Sequence, residues 1–257
     1  MLKFITILYN NDKEINLLFS SIEKVISEFQ LVISLNSKLK DKINDKRVIY
    51  VGNELNIGFG KAINRSIKYI DKDDVLCILN SDVIFDKLDV NKIRTLLSKN
   101  YIIGPSCFNK YNEKQDTFRK DITLIRIINR VIRRVFLLNR KSLPFEYDSD
   151  GDFFVDWVVG GIMFIKGGDF LNVNGFNKMY FMYLEDIDLC IRARKKGLKV
   201  LYANSIKCFY EADRKSLNIT SLKRLKLFLF HLQSFFIYAI SHPINFFNFD
   251  FKKHHNR

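Results

Sequence analysis

The sequence predicts an α/β fold with a mainly parallel sheet flanked by helices, and three observations carry that expectation. Short apolar runs alternate with amphipathic helical patterns from Lys3 to Gly104, the rhythm of strand-helix-strand units. The run Val75–Leu79 is apolar throughout, as in a strand covered on both faces. The apolar runs end in polar residues, Tyr9-Asn10, Asn36-Ser37, Asn56 and Asn80-Ser81-Asp82, and open sheets of this kind hold ligands at the carboxyl ends of their strands. With 257 residues, 47% of them hydrophobic, the chain can bury one sizeable core, so a single domain with a small appendage is expected.

Taken in order, Lys3–Tyr9 is a first strand that stops at Asn10-Asn11-Asp12, and Ile15, Leu18, Ile22, Val25 and Ile26 then mark one face of a helix. Gln30–Leu35 and Arg47–Val51 are further strands. A glycine-bearing turn through Gly52, Gly58 and Gly60 leads into a helix marked by Ala62, Ile63, Ile67 and Ile70. Tyr101–Gly104 is a strand halted at Pro105. Residues 105–152 break the rhythm. Within them Arg119–Lys141 combines Ile125, Ile128, Ile132 and Val135 with Arg126, Arg130, Arg133, Arg134 and Arg140, a basic amphipathic helix. Either its arginines are solvated while the apolar face packs, or the apolar stripe stays exposed and docks on a membrane.

Phe153–Lys166 reads as strand, Gly160-Gly161, strand, and holds the only tryptophan, Trp157, which is either core or a platform for a ligand. In Gly175–Arg194 a row of aromatics precedes a helix whose apolar residues Leu184, Ile187 and Ile191 face the core. Asp188 stands four residues before Arg192, the spacing of an exposed stabilising pair. Glu185 and Asp186 have no such partner; they are either acids that suit the helix dipole or a general base beside an aromatic pocket. Strands follow at Lys199–Tyr202 and Ile206–Phe209. Ser221–Ile240 is a long helical pattern with Lys223, Arg224 and Lys226 at its start; its apolar runs fall short of the ~20 residues that span a bilayer, so it packs or lies on a surface.

The formal charge of +14 calls for an anionic partner, whether phosphorylated substrate, membrane surface or nucleic acid. Nucleic acid ranks last because no recognition motif for it is present. Cys77, Cys107, Cys190 and Cys208 are scattered, without zinc-site pairing or the density of a disulfide framework, which fits a reducing compartment. The first apolar run lacks a small-residue cleavage site, so a cytosolic location is expected.

ILYNN (7–11), NIGFGKAIN (56–64), LNSDV (79–83), VDWVVGGIMFIK (155–166), GFNKMYFMYLEDIDLCIRARKKG (175–197) and YEADRKS (210–216) together resemble, in order and spacing, the family 2 glycosyltransferases. Within that family they are most similar to the bacterial rhamnosyltransferase-like enzymes of surface polysaccharide assembly. The resemblance implies a GT-A type nucleotide-sugar-binding fold over residues 1–216, followed by a basic helical tail over 217–257. It divides 1–216 into a nucleotide-binding half (1–104), a variable basic insertion (105–152) and an acceptor and catalytic half (153–216).

Carried over position by position, the resemblance implies Asp186 as catalytic base with Glu185 beside it, and Asp82 as ligand of a divalent cation, magnesium or manganese. It implies a donor pocket from Tyr9, Asn10, Asn36, Asn56, Gly58, Asn80, Ser81 and Arg214, and an acceptor side from Trp157, Gly160 and Gly161. Taken alone, Asp82 is more simply a turn residue bonding its own backbone, and Arg214 is equally a structural ion pair. Two departures stand out: Leu35 replaces the acid that meets the nucleotide base, and Tyr210 replaces a His that can ligate the metal. The implied activity is inverting transfer of a sugar, with rhamnosyl the candidate, from a nucleotide-diphosphate donor to a glycan or lipid-linked glycan. The expected place is the inner, anionic face of the cell membrane, held peripherally. The competing reading is a catalytically impaired, membrane-associated binding module on the same fold.

Overall fold

The computed structural model describes residues 1–115, 117–127, 151–210 and 221–247. Its centre is a nine-stranded sheet. β1 (Leu2–Leu8), β2 (Gln30–Leu35), β3 (Val48–Val51) and β4 (Val75–Leu79) form its parallel half in the order β3-β2-β1-β4. Neighbouring residues on these strands feed opposite cores: Phe4, Leu31 and Cys77 point to one face, Ile5, Val32 and Ile78 to the other. That is why the runs are apolar throughout. α1 (Asp12–Val25) covers one face with Ile15, Leu18 and Ile22 buried, and α2 (Phe59–Asn64) covers the other with Ala62 and Ile63.

After β5 (Val83–Ile84) and α3 (Val90–Leu97), capped by the Asp89 carboxylate accepting from Lys92 N–H at 2.9 Å, the sheet changes character. β6 (Tyr101–Phe108) does not lie next to β4. The later strand β10 (Ile162–Lys166) is inserted between them, antiparallel to both. Beyond β6 lies β11 (Lys199–Tyr210), parallel to it, and the short strands β5 and β8 (Phe153–Phe154) pair antiparallel with β11 to close that side of the sheet. The mainly parallel sheet is therefore mixed on the side from β4 to β11. A two-stranded sheet of β7 (Phe118–Arg119) and β9 (Trp157–Val158) lies outside it. α4 (Gly167–Asn172), α5 (Glu185–Lys195), α6 (Ser221–Ser241) and α7 (Pro243–Phe246) complete the described elements.

Several boundaries differ from the sequence reading. β6 runs on through Pro105, which pairs with Ala203 where the β6–β11 register shifts between Ala203 and Lys207; an irregularity of this kind tolerates the missing N–H. The two expected strands at 199–202 and 206–209 are the two parts of β11 on either side of that shift. Arg119 is in a strand and not a helix; helix begins at 124, and 128–150, most of the expected basic helix, lies outside the described residues. Asp188 does pair with Arg192, at 2.6 Å, but it is fully buried and not an exposed surface pair.

Candidate active site

The polar strand ends meet in a cleft of about 740 Å³ lined by Tyr9, Asn36, Asn56, Gly58, Asn80, Ser81 and Asp82. Its polar wall is braced from behind. The Asn36 amide donates to the Gly58 carbonyl at 3.2 Å, the Asn56 side-chain oxygen accepts from Gly58 N–H at 3.0 Å, and Arg65 donates to the Leu35 carbonyl at 2.7 Å. Gly58 has φ +88°, and a Cβ there would stand 2.0 Å from the Phe181 carbonyl oxygen, so only glycine lets this loop meet the aromatic segment. Phe59 N–H donates to that carbonyl at 3.0 Å. Asn10 does not line the cleft; it adopts φ +56° and donates its N–H to Ser37 Oγ at 2.8 Å, shaping the turn after β1.

Sequence reasoning missed several lining residues. Asn11 also lines the cleft and donates its amide to Ser81 Oγ, fixing one polar end against another. Phe181 and Met182 come from the aromatic segment, and Lys226, Leu227 and Phe230 from α6. The row of aromatics before the acidic helix was a visible signal for the first two. Nothing local marks the α6 residues, because only the tertiary fold returns that helix to the cleft.

A short chain of contacts joins the cleft floor to the acidic pair. Asn80 N–H donates to the Gly161 carbonyl at 2.9 Å, and the Asn80 amide donates to the Tyr210 hydroxyl at 2.9 Å. A Cβ on Gly161 would lie 3.2 Å from that hydroxyl, so the glycine lets the Tyr210 side chain in. Gly160 N–H donates to Asp186 Oδ2 at 2.9 Å, and Ile187 N–H donates to Asp186 Oδ1 at 2.8 Å. The pair is presented by two successive left-handed residues, Tyr183 (φ +74°) and Leu184 (φ +64°), a strained entry to α5. Trp157 is buried in the core, with its indole N–H donating to the Lys120 carbonyl at 2.9 Å. The structure does not bring it to the cleft. Arg214 lies outside the described residues.

The two acids sit in unlike surroundings. Glu185 is buried, with Oε2 lacking a hydrogen-bond partner among the described residues, and burial followed by the neighbouring Asp186 charge pushes its carboxyl up to about 8. Burial also pushes Asp186 upward, while the Gly160 and Ile187 N–H groups and the nearby Arg119 charge hold the rise back. Asp186 keeps partial solvent exposure, which moderates that rise further. Asp186, its basicity raised and its two oxygens held by backbone N–H groups, is the member of the pair placed to accept a proton. Tyr210 is pushed up to about 12 by burial and then by Asp82, so it meets the cleft as a neutral phenol.

Asp82 and Glu14 are the acids that line the cleft, and among the described residues no three His, Cys, Asp or Glu side chains gather as a cage for a metal ion. The Asp82 carboxylate, with its neighbours Asn80 and Ser81 also lining the cleft, supplies oxygen donors that fit a hard cation, which commonly takes one or two protein carboxylates and fills its shell with phosphate and water.

Comparison with known proteins follows this geometry. A family model described as the N-terminal domain of galactosyltransferase matches residues 144–215. The chain is 30% identical over 189 residues to Rhamnosyltransferase WbbL of Escherichia coli K12, covering 70% of this chain and 69% of that one. The chain belongs to the family 2 glycosyltransferases. It is 25% identical over 166 residues to the N-acetylglucosaminyl-diphospho-decaprenol L-rhamnosyltransferase of Mycobacterium tuberculosis, over 58% of this chain and 54% of that relative. The crystal structure of GalNAc-T7 with UDP, GalNAc and Mn2+ matches with TM-score 0.57 and 13% identity, over 82% of this chain and 43% of that one, and shows the GT-A fold. The protein is a glycosyltransferase with rhamnosyltransferase-like relatives.

Proposed function

We propose that this glycosyltransferase moves a sugar, rhamnose being the candidate its relatives suggest, from a nucleotide-diphosphate donor to a lipid-linked glycan with inversion at the anomeric carbon. The observation that carries the proposal is Asp186, held by two backbone N–H groups at one end of the contact chain whose other end is the cleft floor. The donor lies in the cleft along Tyr9, Asn36, Asn56, Gly58, Asn80 and Ser81, with Asn10 shaping the turn after β1, Arg214 assisting at the phosphates and Gly160 and Gly161 facing the acceptor. Asp186 takes the proton of the acceptor hydroxyl as its oxygen bonds to the anomeric carbon, and the bond to the diphosphate breaks on the opposite face, releasing the nucleoside diphosphate. A divalent cation held by Asp82 would offset the charge developing on the departing diphosphate. Protonated Glu185 beside the base adds no second negative charge to the site.

Residues 1–104 serve the donor, 153–210 the acceptor and catalysis, and the tail from 217 the acceptor's membrane. The basic charge and the relative that acts on a decaprenol diphosphate support an acceptor presented at an anionic membrane surface, with the enzyme held peripherally on the inner face. Among the described residues no helix is long and apolar enough to cross a membrane.

Asp186→Asn tests the assignment, because the amide keeps the shape and removes the proton acceptor. Turnover is expected to fall by about 10³-fold or more while donor affinity and melting temperature stay near wild type. Near-normal turnover in this variant would move the base elsewhere.

A further inference from the structure

α6 is apolar on two opposite sides, and only one of them is covered by the protein. Its inner face carries Ser234, which donates to the Met182 carbonyl at 2.7 Å, and Tyr238, whose hydroxyl donates to the Ile122 carbonyl at 2.9 Å; both residues are buried. The helix is thus firmly seated. Its outer face carries Leu225, Phe228, Leu229, Leu232, Phe236 and Ile240, all exposed, with Ile240 at 79%. At about 100° per residue these six fall within an arc of roughly 120°, one continuous stripe down the helix. Ile244 and Phe247, on and after α7, are exposed as well, Ile244 at 84%. Single exposed apolar residues need no explanation, but an aligned stripe of this size on a seated helix marks a contact surface.

We infer that this outer stripe of α6 is the docking surface for an anionic lipid bilayer, on which the helix lies lengthwise. Charge decides the occupant. From Arg214 to Phe249 the sequence contains no Asp or Glu, and Lys223, Arg224 and Lys226 open the helix. A second copy would bring another chain of charge +14 against the first with no acid on this helix to pair with its basic start, whereas an anionic surface attracts both the start of the helix and the whole molecule. Lys226, Leu227 and Phe230 line the cleft from the other side of the same helix, so docking on the outer stripe holds the cleft one helix diameter, ~10 Å, from the headgroups where a lipid-linked acceptor presents its sugar. The inference deepens the proposed function and depends on it for its purpose; the geometry of the stripe stands independently.

The experiment is flotation of the whole chain with vesicles of phosphatidylcholine alone or mixed with phosphatidylglycerol, without nucleotide sugar or acceptor, alongside Phe236→Ser/Ile240→Ser. Neither residue lines the cleft. Wild type is expected to float with the mixed vesicles and only weakly with phosphatidylcholine, and the double variant to lose at least about tenfold in partition at unchanged melting temperature. Salt-sensitive binding that the double variant retains would assign docking to basic residues elsewhere and overturn the inference. So would failure to float, whether the protein sediments as a dimer that the same substitutions dissociate or as a monomer whose stripe another part of the chain covers. Vesicle binding without transfer to a lipid-linked acceptor would sink the acceptor reading and leave docking intact.

Discussion

At the scale of single residues, two neighbouring carboxyls are driven to different states by what surrounds them. Asp186 receives two backbone N–H groups, while Glu185 has a buried oxygen with none. The raised Glu185 carboxyl has a stability consequence with a definite sign. A folded-state value above the ordinary 4.5 means that the folded chain holds the proton more tightly, so its contribution is complete below that value and is lost as pH rises toward about 8. Glu185→Gln should remove this loss, leaving the variant relatively more stable than wild type above about pH 8 and nearly equal to it near pH 4.5. Urea unfolding of both proteins from about pH 5 to about pH 9 checks it. Parallel pH profiles would show that Glu185 ionises normally.

At the scale of elements, the buried Asp188 is the fastening between the catalytic helix and the C-terminal pair of helices. Its carboxylate accepts from Arg192 Nε at 2.6 Å on α5 and meets His242 Nε2 at 2.8 Å in the turn between α6 and α7. Arg192 also donates to the carbonyls of Val173 and Gly175, tying in the segment that leads to the aromatics. Burial acts to raise the Asp188 carboxyl, but the His242 hydrogen bond and the Arg192 charge outweigh it and hold the group below the ordinary carboxylate range. Its contribution is therefore lost as pH falls, opposite in sign to that of Glu185. Around this point Tyr183 stacks on His231 at 3.5 Å and Phe181 on Phe230 at 4.6 Å, so α6 and the aromatic segment move as one wall of the cleft. His242→Ala should cost about 2–4 kcal/mol in urea unfolding, from a lost buried hydrogen bond and the cavity it leaves. It should also raise the donor KM more than it lowers kcat, since it loosens a wall and leaves Asp186 in place. A variant with wild-type stability would show that the fastening lies elsewhere.

At the scale of the whole molecule, distant strands meet behind the cleft: Asn80 and Asp82 line it after β4, and the Asn80 amide donates to the hydroxyl of Tyr210 at the end of β11. The metal prediction belongs to this scale. A carboxylate, neutral oxygens and substrate phosphates suit magnesium, and the phenol supplies no nitrogen donor that would favour a transition metal. Transfer should require added divalent cation, with magnesium at least comparable to manganese, and Asp82→Ala should weaken cation-dependent binding of nucleoside diphosphate by about tenfold or more. Tyr210→His should tighten manganese. Metal titrations of donor hydrolysis on these three proteins decide it; tight manganese selectivity in wild type that the histidine leaves unchanged would place the second ligand outside Tyr210.

The local sequence determined the strands, the helix faces and the polar strand ends, because those follow from periodicity and turn chemistry within a few residues of each position. Asn36, Asn56, Gly58, Asn80, Ser81 and Asp82 were legible for that reason. Only the tertiary structure decided that β10 separates β4 from β6, that Trp157 faces the core, that Asn10 shapes a turn and that Asp188 is buried. It alone returned α6 to the cleft. The physical reason is that a side chain's neighbours across the sheet come from distant parts of the chain, where no spacing rule connects them. The same reason left α6 unread: its apolar residues look alike in sequence on both sides, and only packing shows that Ser234 and Tyr238 are buried while Phe236 and Ile240 remain exposed.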